Sequence, residues 1–302
     1  MYDLIIVGAG PAGMTAAVYA ARKRINMLII SKDMGGQVLW TSSIENYMGY
    51  QYIEGFELMK KFKEQVKQYP VDMKIGPNMA SLIKVNSGFE IETDRNEKYL
   101  GKTVILAMGK RPRRLDVPGE REYEGKGVTY CATCDGPLFA GMNTAVIGGG
   151  NSALEAADDM RKICNHVYLV SSTPLTGDQV LIGRITHSSN LTILAEHEVV
   201  RITGDVFVKG VVVRDRKSGE EKALEVGGVL VEIGLIPNTD SLRNTLQLNE
   251  QNEVEVDCLC QTVIAGLFAA GDITSVPEKQ IVIAAGEGAK AALRAHRYLQ
   301  RI

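Results

Sequence analysis

Residues Asp3 to Ser31 read DLIIVGAGPAGMTAAVYAARKRINMLIIS, and residues Asn143 to Ser171 read NTAVIGGGNSALEAADDMRKICNHVYLVS. Each is an apolar run, a glycine turn, an Ala-rich stretch with helical spacing and a second apolar run. In both, 23 positions separate the first glycine from the closing serine. Each turn carries G-x-G-x-x-[GA], as Gly8, Gly10 and Gly13 and as Gly148, Gly150 and Ala153. The first glycine makes the tight turn, the second admits a pyrophosphate to the backbone, and the third position must be small so that helix and strand can pack. The anion then lies at a helix N-terminus, where unpaired N–H groups favour negative charge. One such turn is a weak signal. Two at equal spacing predict two dinucleotide-binding βαβ units.

A second repeat supports the duplication: VILAMGKRP at 104–112 and VLVEIGLIP at 229–237 are apolar runs ending in G-x-x-P. Each proline ends its strand and turns the chain, so both read as crossings between domains. The predicted fold is α/β, with two Rossmann-like, three-layer domains, the second inserted into the first. The outer domain is 1–112 plus 245–302, and the inner one is 113–244. The closing stretch, VIAGLFAAGDITSVPEKQIVIAAGEGAKAALRAHRYL, reads as a buried strand followed by a long helix with small residues at its start.

The whole chain sets the limits. With 302 residues, two domains of ordinary size are expected. Apolar residues make up 45% and charged residues 23%, the composition of a globular protein. No apolar run is long enough to span a bilayer, and the first residues lack the basic region and cleavage site of a signal peptide; a cytoplasmic protein with no membrane partner is expected. A net charge of -2 and a pI near 6.2 lack the basic footprint of a nucleic-acid binder.

Five cysteines, at 131, 134, 164, 258 and 260, are an odd number without an export signal, which argues against a disulfide scaffold. Cys131 and Cys134 form a C-x-x-C at the start of a helical segment, where a helix N-terminus would favour the thiolate. Asp135 follows directly and can give or take the proton of thiol exchange. The competing reading, a zinc site completed by Cys258 and Cys260, needs four tetrahedral ligands and is disfavoured beside two nucleotide units, so no metal is expected. Cys258 and Cys260, on the apparently extended NEVEVDCLCQT, and Cys164 read as packed thiols. Lys110, Arg111, Arg113 and Arg114 form a basic cluster that suits either a solvated loop or a docking patch for an acidic partner.

Taken together, GAGPAG at 8–13, GGQ at 35–37, ENY at 45–47, CATCDGPLF at 131–139, GGGNSALEAA at 148–157 and GLFAAGD at 266–272 resemble the low-molecular-weight thioredoxin reductases and the related flavoprotein subunit of alkyl hydroperoxide reductase. The resemblance runs from end to end. It implies FAD in the outer domain, with Gly8, Gly10, Pro11, Ala12 and Gly13 at the pyrophosphate and Gly36 and Gln37 along the flavin. Asn46 would contact the isoalloxazine and Asp272 the ribitol, with Gly109 and Gly271 beside them. Lys279, Gln280 and Ile281 would lie near the pyrimidine end. Gly148, Gly150, Asn151, Ser152 and Ala153 would hold NADH or NADPH.

The resemblance further implies that Cys134 takes electrons from the flavin, Cys131 attacks a disulfide of thioredoxin or a glutaredoxin-like protein, and Asp135 handles the proton. The inner domain would rotate about hinges near 111–117 and 240–246, in a homodimer built on the FAD domain. The chain departs from the family at the donor. The usual His-Arg-Arg for a 2′-phosphate is replaced by Ser171, Ser172 and Thr173, with no arginine before Arg184. The ribose-binding Glu of the peroxide-reductase flavoproteins would fall at Ser171. NADH is expected slightly ahead of NADPH, with reduced ferredoxin as an alternative donor. A peroxiredoxin could be the final acceptor through a separate carrier.

Overall fold

The structure, a computed structural model, describes residues 1–40 and 44–302, without the side chains of Trp40, Thr133 and Cys134. By contacts the chain divides into two units, Met1–Arg111 with Ile236–Ile302, and Pro112–Leu235.

In the first unit, Tyr2–Val7 pairs in parallel with Met27–Ser31 on one side and Lys98–Leu106 on the other. Asp72–Ile75 and Leu267–Ala269 extend the parallel sheet. An antiparallel hairpin, Met79–Val85 and Gly88–Thr93, joins the early part of Lys98–Leu106. The period-2 alternation of the strands separates two cores. Leu4, Ile6 and Ile29 face one way, packing with Met14, Ala16, Leu58 and Ala291 from three helices. Ile5, Val7, Leu28 and Ile30 face the other way, packing with Leu82, Phe89 and Ile91 of the hairpin. These strands are buried on both faces, which is why they read as unbroken apolar runs.

Helix Pro11–Arg22 starts after an extended Gly10, with proline in its first turn where no N–H is needed. Its small face receives helix Ile281–Leu299. A Cβ on Gly288 would overlap the carbonyl oxygen of Ala12, so the two backbones touch.

The second unit repeats this plan. Its parallel sheet runs Leu191–Ala195, His166–Ser171, Asn143–Ile147, Gly228–Val231 and Val128–Thr129. Val146, Val167, Leu169 and Leu230 pack with Ala153, Leu154 and Ala157 of helix Asn151–Ile163. Ala145, Ile147, Val229 and Val231 face Ile202, Val211, Val213 and Leu224 of an antiparallel sheet, His197–Gly204, Val208–Asp215 and Glu221–Glu225.

The two connections are the short strands Lys110–Pro112 and Leu235–Pro237, which pair with each other. By contacts, the second crossing falls between Leu235 and Ile236, where the sequence reading has 245. Residues 238–246 pack with the first unit: Asn238 Nδ2 donates to Met108 O at 2.7 Å, Thr245 Oγ1 to Leu82 O, and Leu242 and Leu246 join the hairpin core.

Candidate functional site

In the first unit the glycine turn opens onto a cavity of about 970 Å³. Gly8, Gly10, Pro11, Ala12, Gly36, Gln37 and Asn46 line it, as do Gly109, Gly271, Asp272, Lys279, Gln280 and Ile281. Gly13 does not line it. A Cβ on Gly13 would overlap the carbonyl oxygen of Gly8, so this glycine lets the helix sit against the turn. Gly10 differs, since the nearest atom to its Cβ position is Gly35 O at 3.9 Å. A cradle closed behind and open in front fits a pyrophosphate approaching the backbone. Ser31, where an acid would read a ribose, accepts the Ala9 N–H at 3.0 Å and donates to Asp33 O at 2.6 Å.

At the other end of the cavity, Gln37 Nε2 donates to Asp272 Oδ2 at 3.1 Å and Asn46 Nδ2 to Gln280 Oε1 at 3.1 Å. Burial raises the Asp272 carboxyl above the usual range, opposed by the Gln37 N–H and by Lys279 and Lys110. Glu253 pairs with both lysines, at 3.0 Å to Lys110 and 3.3 Å to Lys279. Glu287, buried on the long helix, accepts the Gly271 N–H at 2.7 Å and so fixes the loop carrying Asp272.

Three of the four cations in the basic cluster, Lys110, Arg111 and Arg114, have carboxylate partners. Besides the Lys110–Glu253 pair, Arg111 meets Asp240 at 2.6 Å, and Arg114 meets Glu124 at 2.8 Å while lying over the Tyr130 ring.

In the second unit, Cys131 is half-buried and disulfide-bonded, whereas Cys164, Cys258 and Cys260 are free. The Cys134 side chain lies outside the described residues. The helix expected after Cys131 is only Ala132–Asp135, continued as a 3₁₀ turn over Gly136–Phe139. One turn has few aligned peptide dipoles, so a helix terminus lends the thiol little. Side chains supply the order instead. Thr129 Oγ1 accepts the Cys131 N–H at 3.2 Å and donates to Asp135 Oδ2. Tyr130 donates to Glu120 Oε1 at 2.9 Å, and that buried carboxylate also caps the Leu115 and Asp116 N–H groups.

Cys258 and Cys260 do not lie on a strand. Asp257 Oδ1 accepts from Leu259 N at 2.8 Å and Gln261 N at 2.9 Å, and Cys260 takes φ 60°. Cys260 is buried and its thiol is pushed up to about 11 by burial; Cys258 is exposed rather than packed. Cys164 is buried with its thiol toward Phe139 O at 3.3 Å. Among the described residues no group of three or more His, Cys, Asp or Glu gathers as a metal site.

The second glycine turn repeats the first. A Cβ on Gly148 would overlap the Glu232 carbonyl, while Gly150 has nothing within 4 Å of its Cβ position. Ala153 is fully buried under the turn, and Asn151 Oδ1 accepts the Asp178 N–H at 2.7 Å. Asn151 and Ser152 open the helix.

Glu232 was not legible in the sequence. Burial pushes its carboxyl up to about 7, against a hydrogen bond from the Ala132 backbone and with a further push from Glu155. A raised folded-state value means that its favourable contribution is complete below the ordinary carboxylate range and is lost as pH rises through about 7. Glu232→Gln keeps an acceptor for Ala132 and removes the charge. At pH 8 it should stabilise the protein by roughly 2–3 kcal/mol, with little change at pH 5. Thermal unfolding at the two pH values checks this; equal shifts at both would refute it.

The family model for pyridine nucleotide-disulphide oxidoreductases matches residues 2–288. Among curated proteins, the chain is 45% identical over 301 residues to an NADH dehydrogenase of Bacillus subtilis, covering 99% of this chain and 59% of that one. It is 44% identical over 305 residues to an alkyl hydroperoxide reductase subunit of Escherichia coli, covering 99% and 58%. The chain thus spans under two thirds of these relatives' length. Among solved structures, Lactococcus lactis thioredoxin reductase superposes with a TM-score of 0.87 at 32% identity over all of both chains. The T. acidophilum thioredoxin reductase gives 0.83 at 39%, over 98% of each. Among the described residues no helix is long and apolar enough to cross a membrane. The chain belongs to the pyridine nucleotide-disulphide oxidoreductase family, whose members work with FAD and a nicotinamide nucleotide.

Proposed function

We propose that this chain is a flavoprotein disulfide reductase of the thioredoxin reductase type, passing two electrons from a nicotinamide nucleotide through FAD to a Cys131–Cys134 disulfide and on to a small thiol protein. The observation that carries this reading is the disulfide-bonded Cys131 held with Asp135 by one hydroxyl, in a chain with two glycine cradles.

FAD supplies the two-electron store between nucleotide and disulfide. Gly8 and Gly10 would receive its pyrophosphate at the start of helix Pro11–Arg22, and Gln37 and Asp272 face the cavity as a mutually hydrogen-bonded pair. Once the dithiol is formed, Asp135 takes the Cys131 proton and the resulting thiolate attacks the partner's disulfide. A bond forms between Cys131 Sγ and one partner sulfur, the partner's S–S bond breaks, and the departing thiolate takes a proton from Asp135. Cys134 then gives up its proton and attacks Cys131 Sγ, restoring the intramolecular disulfide and releasing the second partner sulfur, which takes up that proton. Thr129 keeps the Asp135 carboxyl on the same short turn as the attacking sulfur.

Thioredoxin or a glutaredoxin-like protein fits as the acceptor. A peroxiredoxin reached through a carrier is the second reading, motivated by the alkyl hydroperoxide reductase relative. Homodimer assembly is carried by the resemblance. The test is anaerobic bleaching of the flavin absorbance. Bleaching by NADH or NADPH, then reoxidation by thioredoxin, is expected. Bleaching by reduced ferredoxin alone would remove the nicotinamide step, and a colourless protein that binds no FAD would remove the whole reading.

A further inference from the structure

The strand that should end beside the adenosine ribose is His166–Ser171, and its end carries no charge of its own. Ser171 is buried, 3% exposed, with its hydroxyl turned in against Gly149 and accepting the Thr173 N–H at 3.4 Å. The fold delivers a cation to this place from 45 positions further along the chain. His166–Ser171 pairs with Leu191–Ala195 in a register that sets Ser171 opposite Ala195. Glu196 follows, and its carbonyl accepts the Arg216 N–H at 2.9 Å while its carboxylate holds Lys217 at 2.6 Å. Arg216 belongs to the turn between Val208–Asp215 and Glu221–Glu225, closed by Asp215 Oδ1 accepting from Lys217 N at 2.7 Å and Ser218 N at 2.9 Å. The turn is therefore fastened to the carboxyl edge of the parallel strands, where ligands of such sheets bind.

From there the Arg216 guanidinium reaches back and donates Nη1–H to Ser172 O at 2.7 Å. One of its five N–H donors is used, and among the described residues no carboxylate forms an ion pair with it. Glu196 is engaged by Lys217, and Asp215 by the turn's N–H groups and by His197. A dianionic phosphate ester beside Ser172 would meet a planar cation suited to two-point contact.

We infer that Arg216 is the specificity-determining residue for the nicotinamide nucleotide: it selects the form phosphorylated at the adenosine 2′ position. This rests on the reading of Gly148 to Ala153 as the nucleotide turn, and it reverses the slight preference for NADH that the local sequence suggests.

The test uses the FAD-loaded protein and calorimetric titration with two fragments that carry no nicotinamide, adenosine 2′,5′-bisphosphate and AMP. The bisphosphate should bind about tenfold to a hundredfold more tightly than AMP at low salt. Arg216→Ala should erase that ratio without changing AMP affinity, and Arg216→Lys should restore it in part. The same variant should lower kcat/KM for NADPH by the same factor and leave NADH untouched. Equal binding of the two fragments to the unaltered protein, or a ratio that survives Arg216→Ala, overturns the inference while leaving the nucleotide turn standing. If neither fragment binds and neither nucleotide bleaches the flavin, the reading beneath it falls too.

Discussion

Cys131→Ser is expected to abolish reduction of a disulfide protein while leaving flavin bleaching by the nicotinamide nucleotide intact. The serine hydroxyl keeps the size of the side chain but does not ionise near neutral pH and cannot form a disulfide. The loss should be on the order of a thousandfold or more, the scale seen when a covalent nucleophile is removed. Flavin reduction draws on the other unit's cavity and on the Gly148 turn, neither of which contains Cys131. Stopped-flow bleaching and a thioredoxin-coupled assay on one preparation separate the half-reactions. Retained disulfide reduction in the variant would remove Cys131 from the relay.

The second large effect is expected at the first glycine turn, where two glycines three positions apart should fail differently. In Gly13→Ala the new Cβ overlaps the Gly8 carbonyl oxygen and lies 2.8 Å from its carbon, and backbone cannot swing aside as a side chain can. Overpacking of this kind costs typically about 1–3 kcal/mol and would push the helix off the strand, so the protein should purify colourless with a lowered Tm. In Gly10→Ala the Cβ meets nothing closer than 3.9 Å, so the apoprotein's Tm should hold. Its methyl group projects where the pyrophosphate approaches, and FAD affinity should fall alone. Flavin absorbance per protein and thermal melts of the apo forms distinguish the outcomes; equal Tm losses in both would contradict these separate roles.

What could be read in the sequence was local. The glycine turns, the G-x-x-P endings and the C-x-x-C-D run are set by spacing within a few residues, and the repeat made each copy evidence for the other. What could not be read was assembled by the fold. Thr129, Glu232 and Arg216 stand in unremarkable surroundings, and each matters only because a strand end or turn brings it to Asp135, Ala132 or Ser172. The alternation in NEVEVDCLCQT imitates a strand, but Asp257 caps two downstream N–H groups and bends the chain, separating an exposed from a buried cysteine. Residues 238–246 show no clear period, so only their contacts with Met108 and Leu82 reveal where they pack. The partners of the basic cluster could not be read because a sequence shows charges and not what they meet: Glu253, Asp240 and Glu124 lie between 10 and 143 positions away from their cations.

The long C-terminal helix couples the cavity to the stability of the chain's end. Ile281 and Ala284 are part of the cavity wall, and four residues on, Gly288 brings the helix against the backbone at Ala12. A ligand seated there touches the wall that this helix forms, so its binding and the helix's stability are linked. The ligand's binding energy adds in turn to the helix's own stability. Hydrogen exchange along the chain's last helix should therefore be slower in the cofactor-loaded protein than in the apoprotein.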